Sequence, residues 1–373
     1  MTRTILFIFG TRPEAIKLSP LILRLRRFPE SYSVQVCVTA QHRGMLDQVL
    51  EVFGIQPDYD LDIMQPEQTL LQSASRILSA LEPVFSTVQA DLVVVQGDTT
   101  TTFCGALAAF YSGVPVAHVE AGLRTGDLGQ PFPEELNRVL TSRLATLHFA
   151  ATQRAADNLA KEGITRHVWV TGNTGIDAVL SVREAAMPPF PLDHLNFPGK
   201  RMILVTAHRR ESFGEGFERI CQALSVIADR PDVHLLYPVH PNPNVQGPVH
   251  RYLRPHPNIT LVEPLDYVGF VNAMRRAYII LTDSGGIQEE GPSLGKPILV
   301  LREKTERPEA VEAGTVKLVA SDTARIVAET ALLLDDPEEY RRMSRIHNPY
   351  GDGHASERIE AALREFFLKD NPH

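Results

Sequence analysis

Tyr278-Ile279-Ile280-Leu281-Thr282-Asp283-Ser284-Gly285-Gly286-Ile287-Gln288-Glu289-Glu290 reads as one strand-to-helix unit. An apolar run of strand character ends in a polar turn with paired glycines, and a helical segment follows. The glycines let backbone approach a ligand closely, and the free N–H groups of a helix start favour an anion. The two glutamates sit about a turn further in, where a carboxylate can accept hydrogen bonds from ribose hydroxyls. The segment is a phosphate cradle by type. Its weight grows because a second anion-binding turn stands at the other end of the chain.

Working outward, the same alternation recurs. Strands are expected at 5–9, 34–39, 92–96, 114–119 and 147–150, then at 202–206, 234–239, 259–262, 278–281, 297–301 and 316–319. Helices are expected at 13–27, with Pro13 first, at 99–112, and from 133. Such alternation gives parallel sheets covered on both faces. The stretch 185–199 holds Pro188, Pro189, Pro191 and Pro198 and reads as loop or linker. The fold class is therefore α/β, with two Rossmann-like, doubly wound parallel-sheet domains facing one cleft. Ligands of such sheets sit beyond the C-terminal strand ends.

The 373 residues exceed what one hydrophobic core usually supports. Hydrophobic residues make up 43% and charged residues 22%, as in soluble globular proteins. Lys+Arg number 37 against 45 Asp+Glu, a net charge of −8, which argues against a nucleic-acid partner. Cys37, Cys104 and Cys221 suit neither a disulfide framework nor zinc, and point to a reducing, cytoplasmic compartment. The first apolar run is too short for a signal peptide. No stretch approaches the ~20 apolar residues that cross a bilayer, so no membrane partner is expected.

Several motifs fall at expected strand ends. Gly10-Thr11-Arg12-Pro13-Glu14-Ala15-Ile16-Lys17 sets Arg12 at a helix start, where guanidinium and backbone can grip a diphosphate together. Lys17 follows one turn later. The plainer reading is a capped helix start with surface cations. In Gln96-Gly97-Asp98-Thr99-Thr100-Thr101-Thr102, Asp98 projects beyond a strand and the threonines can cap. Asp98 as a mere part of that cap is the alternative. In His118-Val119-Glu120-Ala121-Gly122-Leu123-Arg124-Thr125, Glu120 precedes a glycine turn. Pro131-Phe132-Pro133-Glu134-Glu135 opens a helix, and helix starts favour acids through the dipole, which suffices for Glu135. Glu134 joins Asp98 and Glu120 in a carboxylate cluster whose environments can push proton affinities apart, as acid–base chemistry needs.

For His208, in Thr206-Ala207-His208-Arg209-Arg210-Glu211, the plainer reading is a packed or surface histidine, while its place at a strand end beside two arginines points to a contact for phosphate or leaving group. Arg307, in Lys304-Thr305-Glu306-Arg307-Pro308-Glu309, resembles another anion contact. The sequence carries no Walker loop, dinucleotide fingerprint, metal-ligand spacing or Gly-x-Ser-x-Gly elbow. No metal and no cofactor are expected, and Asp60-Leu61-Asp62 is read as loop.

These motifs, with Thr39-Ala40-Gln41-His42-Arg43 and Asn348-Pro349-Tyr350-Gly351-Asp352-Gly353, resemble the bacterial non-hydrolysing UDP-N-acetylglucosamine 2-epimerases. The resemblance covers essentially the whole chain, in family order. It implies the GT-B architecture, with domains at 1–172 plus 355–373 and at 173–354, and a C-terminal helix that crosses back. It implies interconversion of UDP-GlcNAc and UDP-ManNAc without a nicotinamide, for cell-surface polysaccharide, by a homodimer. Carried over, Arg12 and Lys17 meet the nucleotide-sugar. Ser284, Gly285 and Gly286 bind the diphosphate, Glu290 the ribose, and Phe270 lies near the uracil. His208 and Arg307 meet phosphate oxygens, and Asp98, Glu120 and Glu134 form the acid–base set.

The C2 proton of the sugar is barely acidic. Breaking the C1–O bond to UDP builds oxocarbenium character and makes that proton removable. The glycal 2-acetamidoglucal and UDP then recombine, with the proton delivered to the other face. Some relatives carry an allosteric UDP-GlcNAc site, and Gln41, Arg209 and His240 match its positions. Gly44 and Glu67 depart from it, standing where those relatives have glutamine and arginine, so substrate activation is expected to be weak or absent. The rivals are a GT-B glycosyltransferase, a hydrolysing epimerase that releases ManNAc, and a nucleotide-sugar sensor.

Overall fold

The run Leu92-Val93-Val94-Val95 is buried at every position, as a strand covered by helices on both faces must be. It lies in a computed structural model that describes residues 2–39, 43–63, 65, 68–184, 197, 199–253, 255–345 and 348–369. Gln41, His42, Glu67 and nearly all of 185–199 lie outside the described residues. Thirteen strands are present among the described residues: β1 Arg3–Phe9, β2 Tyr32–Val38, β3 Tyr59–Asp60, β4 Leu92–Gln96, β5 Val116–Val119, β6 Leu147–Ala150, β7 Val168–Val170, β8 Arg201–Thr206, β9 Val233–Pro238, β10 Ile259–Val262, β11 Ile279–Thr282, β12 Ile298–Val300 and β13 Val316–Leu318. Helices alternate with them almost throughout.

The chain divides into two compact units, Met1–Ala178 with Gly351–His373, and Val179–Tyr350. The division falls within helix Thr174–Glu184. The first unit holds a seven-stranded sheet in the order β3-β2-β1-β4-β5-β6-β7. The second holds six strands in the order β10-β9-β8-β11-β12-β13. Every strand pair is parallel. Both sheets are doubly wound, and the strand order reverses between β1 and β4 in one and between β8 and β11 in the other. Those reversals place the loops that carry chemistry side by side.

Two strands escaped the sequence reading. Tyr59–Asp60 is a short edge strand paired with Cys37 and Val38, so Asp60 ends a strand instead of lying in a loop. Val168–Val170 forms the other edge. The first helix starts at Arg12, one residue before Pro13, with Thr11 at its N-cap. Helix Ala355–Lys369 completes the first unit. Asp177 accepts the backbone N–H groups of Ala355 (3.1 Å) and Ser356 (2.8 Å), capping that helix. Arg24 pairs with Glu357 in the first turn of that helix, at 3.2 Å.

Candidate active site

Thr11 and Thr99 cap the helices that follow β1 and β4. Glu14 ties the two caps together. It is 1% exposed, and its carboxylate accepts from Gly10 N–H, Thr11 N–H and the hydroxyls of Thr11, Thr99 and Thr102. Burial pushes its proton affinity up, and these donors pull it down. Gly10 has no room for a side chain, since a Cβ there would lie 2.1 Å from Thr39 Oγ1. Arg12 is thereby fixed as the first residue of its helix.

Lys17, on the same helix, is ion-paired with Glu120 beyond β5, and Gln96 Nε2 donates to the same Glu120 oxygen. Glu120 holds this place with φ +66°, a left-handed conformation that ordinary residues avoid and that clusters at functional sites. Asp98 is not the cap of its helix, because Thr99 is. The Asp98 carboxylate is gripped by Arg138, and its carbonyl accepts Asn137 Nδ2–H at 2.9 Å. Burial pushes the Asp98 carboxyl up, Arg138 pulls it down, and nearby Glu120 pushes it up again. His118 is fully buried, its proton affinity driven down to about 3, and its Nε2 lies 2.7 Å from the Gly97 carbonyl.

Glu134 and Glu135 open helix Glu134–Leu144. Glu135 is more than a dipole partner. Its buried carboxylate accepts Thr125 N–H (2.9 Å) and Gly126 N–H (3.0 Å), and it pairs with Arg138 at 3.1 Å. Glu134 stays half-buried at the helix start. The structure thus pairs Lys17 with Glu120, sets Asp98 within electrostatic reach of both, and places Glu134 one turn from the arginine that holds Asp98.

In the second unit the loops after β8 and β11 meet at Asp283, which is fully buried. Its Oδ2 accepts the N–H groups of His208 (2.6 Å) and Arg209 (2.7 Å). Ser284 is the N-cap of helix Gly285–Glu290. Neither glycine of this turn has a left-handed dihedral, and Gly285 serves space. A Cβ on Gly285 would lie 3.2 Å from Arg307 Cζ, so the guanidinium packs flat on that backbone. Arg307 is aimed by Glu289, at 2.8 Å. Gln288 bridges to Thr305 at 2.6 Å, and Asn348 Nδ2 donates to the Glu289 carbonyl at 2.6 Å. Glu290 follows Glu289 on the short helix, and Phe270 sits half-buried on helix Tyr267–Arg276.

His240, beyond β9, stacks on His208 with ring centroids 5.3 Å apart. Arg209 adjoins His208, so two of the three expected allosteric positions gather there, while Gln41 lies outside the described residues. A pocket of about 270 Å³ opens beside this loop, lined by Glu211, Ser212, Arg302, Lys304 and Ser321, none of them an expected site residue. Among the described residues no cluster of His, Cys, Asp and Glu is placed to hold a metal. The sequence reading overlooked Glu14, Arg138, Asp283 and Glu289 as organisers. The Thr11-x-x-Glu14 spacing of a capping box is a signal that points to the first. The others depend on partners far away in the chain.

The sequence profile of the family described as UDP-N-acetylglucosamine 2-epimerase matches residues 25–364. The chain belongs to the UDP-N-acetylglucosamine 2-epimerase family. It is 55% identical to the Salmonella typhimurium UDP-N-acetylglucosamine 2-epimerase over 374 aligned residues, 97% of this chain and 98% of that one. The Neisseria meningitidis UDP-GlcNAc 2-epimerase, solved bound to UDP-GlcNAc, superposes with a TM-score of 0.90 at 48% identity, over 97% of this chain and 100% of that one. The Streptomyces nogalater glycosyltransferase SnogD matches at TM-score 0.60 and 16% identity, over 97% of this chain and 100% of that one, which shows the fold alone. The fold class is GT-B, as the resemblance implied. The epimerase family thus meets, in this chain, two sheets whose reversal points each carry a buried carboxylate clasp.

Proposed function

We propose that this protein interconverts UDP-GlcNAc and UDP-ManNAc without hydrolysis. UDP is expelled to leave 2-acetamidoglucal, and is then recaptured with the C2 proton on the other face. The observation that carries the reading is the Lys17–Glu120–Asp98–Arg138 array at the first reversal point. It sets two carboxylates among cations in partly buried surroundings, which suits an acid and a base of different proton affinity. Asp98, Glu120 and Glu134 are assigned to proton transfer. Arg12, His208, Arg307 and the Ser284-Gly285-Gly286 turn are assigned to the nucleotide-sugar and the departing diphosphate, Glu290 to ribose, and Phe270 to uracil.

Incubation with UDP-GlcNAc alone in D₂O, followed by proton NMR, tests this. UDP-ManNAc with deuterium at C2 and an intact UDP linkage is the expected product. Free ManNAc would favour the hydrolysing rival, and no turnover without an acceptor would favour a glycosyltransferase or a sensor. Simple Michaelis kinetics are expected, since Gly44 and Glu67 depart from the allosteric pattern. We assign the protein to the cytoplasm and to ManNAc supply for cell-surface polysaccharide. We also assign a homodimer. Leu136 and Leu140 are exposed one turn apart on helix Glu134–Leu144, Phe132 is exposed just before it, and Phe110 and Tyr111 are exposed on the neighbouring helix. Such a face suits a second copy of the chain.

A further inference from the structure

Asp283 has two oxygens and uses one. Oδ2 accepts both backbone N–H groups, of His208 and Arg209. Oδ1 is buried and has no donor among the described residues. It lies 3.7 Å from His208 Nδ1, too far for a hydrogen bond and within reach of one after a small turn of the ring. The His208 side chain is 44% exposed, so it has room to turn. Its other face is covered by His240, nearly parallel at 12°. A single acceptor oxygen, as in serine or asparagine, would satisfy the two N–H groups. A second, donorless carboxylate oxygen in the interior is unfavourable and calls for a partner.

We propose that Asp283 is the positioning residue for His208. This rests on the reading that His208 meets the diphosphate. Asp283 Oδ1 takes the Nδ1–H of His208, which points Nε2–H outward as a charge-assisted donor to the leaving phosphate oxygen. The carboxylate offsets the charge of the doubly protonated ring while UDP departs and returns. His240 lies against one face of the ring.

The test is a double-mutant cycle read by turnover of UDP-GlcNAc. Asp283→Asn keeps an acceptor for the two N–H groups and turns the second oxygen into a donor. It is expected to lower kcat roughly 10- to 100-fold in the native background, the worth of one hydrogen bond to a charged group, with KM little changed. In a His208→Gln background the same change is expected to have almost no effect. Equal losses in both backgrounds would make Asp283 a scaffold residue and overturn the proposal. A His208→Gln variant with native turnover would instead overturn the placement of His208 itself. Should Asp283→Asn not fold, ¹⁵N-histidine NMR of the native chain with UDP decides. A proton on His208 Nδ1 supports the assignment, and a bare Nδ1 rejects it.

Discussion

Lys17 and Glu120 form an ion pair in which the acid sits on left-handed backbone, at φ +66°. That geometry separates two effects of one residue. Glu120→Ala and Glu120→Gly both remove the carboxylate and should both abolish turnover. Only the alanine keeps a Cβ that opposes the left-handed state, by about 1 kcal/mol. The glycine variant should therefore be the more stable of the two by that amount in urea unfolding. Equal stabilities would mean that the backbone relaxes once the carboxylate is gone.

Arg138 is the shared cation of Asp98 and Glu135, with its side chain 7% exposed. Arg138→Met leaves two acids without their partner. Breaking a buried pair in this way costs about 3 kcal/mol. The Asp98 carboxyl, already pushed up by burial and by Glu120, loses the main influence holding it down. Unfolding in urea and a steep loss of kcat should report both. UDP affinity by calorimetry should stay close to native, because Arg138 is not among the residues assigned to UDP.

Gly285→Ala puts a methyl 3.2 Å from the Arg307 guanidinium carbon. Arg307 must tilt and loosen its bond to Glu289. The expected result is UDP binding weaker by roughly tenfold, the worth of about one charge-assisted hydrogen bond, with thermal stability almost unchanged. Native UDP affinity would remove Arg307 from the diphosphate contacts.

His118 and His148 pair across β5 and β6, and burial drives them down to about 3 and about 4. In the unfolded chain both take up a proton near pH ~6.5. Their contribution to stability is complete above that pH and is lost as pH falls toward 3. Tm should drop on acidification through this window, and His118→Asn should flatten that slope. Parallel slopes for the two proteins would count against it.

The legible parts of the fold are those with local causes. β4 was readable because Leu92 through Val95 are apolar at every position, the mark of a strand buried on both faces. β3 was not, because Tyr59–Asp60 is two residues long and exists by pairing with Cys37 and Val38. The same divide runs through the site. Arg12, Asp98, Glu120 and His208 stood out as candidates because each follows closely on the end of an apolar run. Arg138 was missed because it meets Asp98 from forty residues along the chain, and no local pattern records that meeting. Asp283 was quoted as part of a motif, yet its use as a clasp appears only when β8 and β11 lie side by side.

Helix Ala355–Lys369 belongs to the unit that β1 begins, and Asp177 and Arg24 fasten it there. The stretch Val179–Tyr350 lies between and forms the other unit by itself. On the ribosome the earlier-made segment must therefore wait, lacking its last helix, while the later-made one has everything it needs. The half that is begun first is the last to be completed. Destabilising changes in the first unit will lengthen the time during which that half stands open to chaperones and proteases.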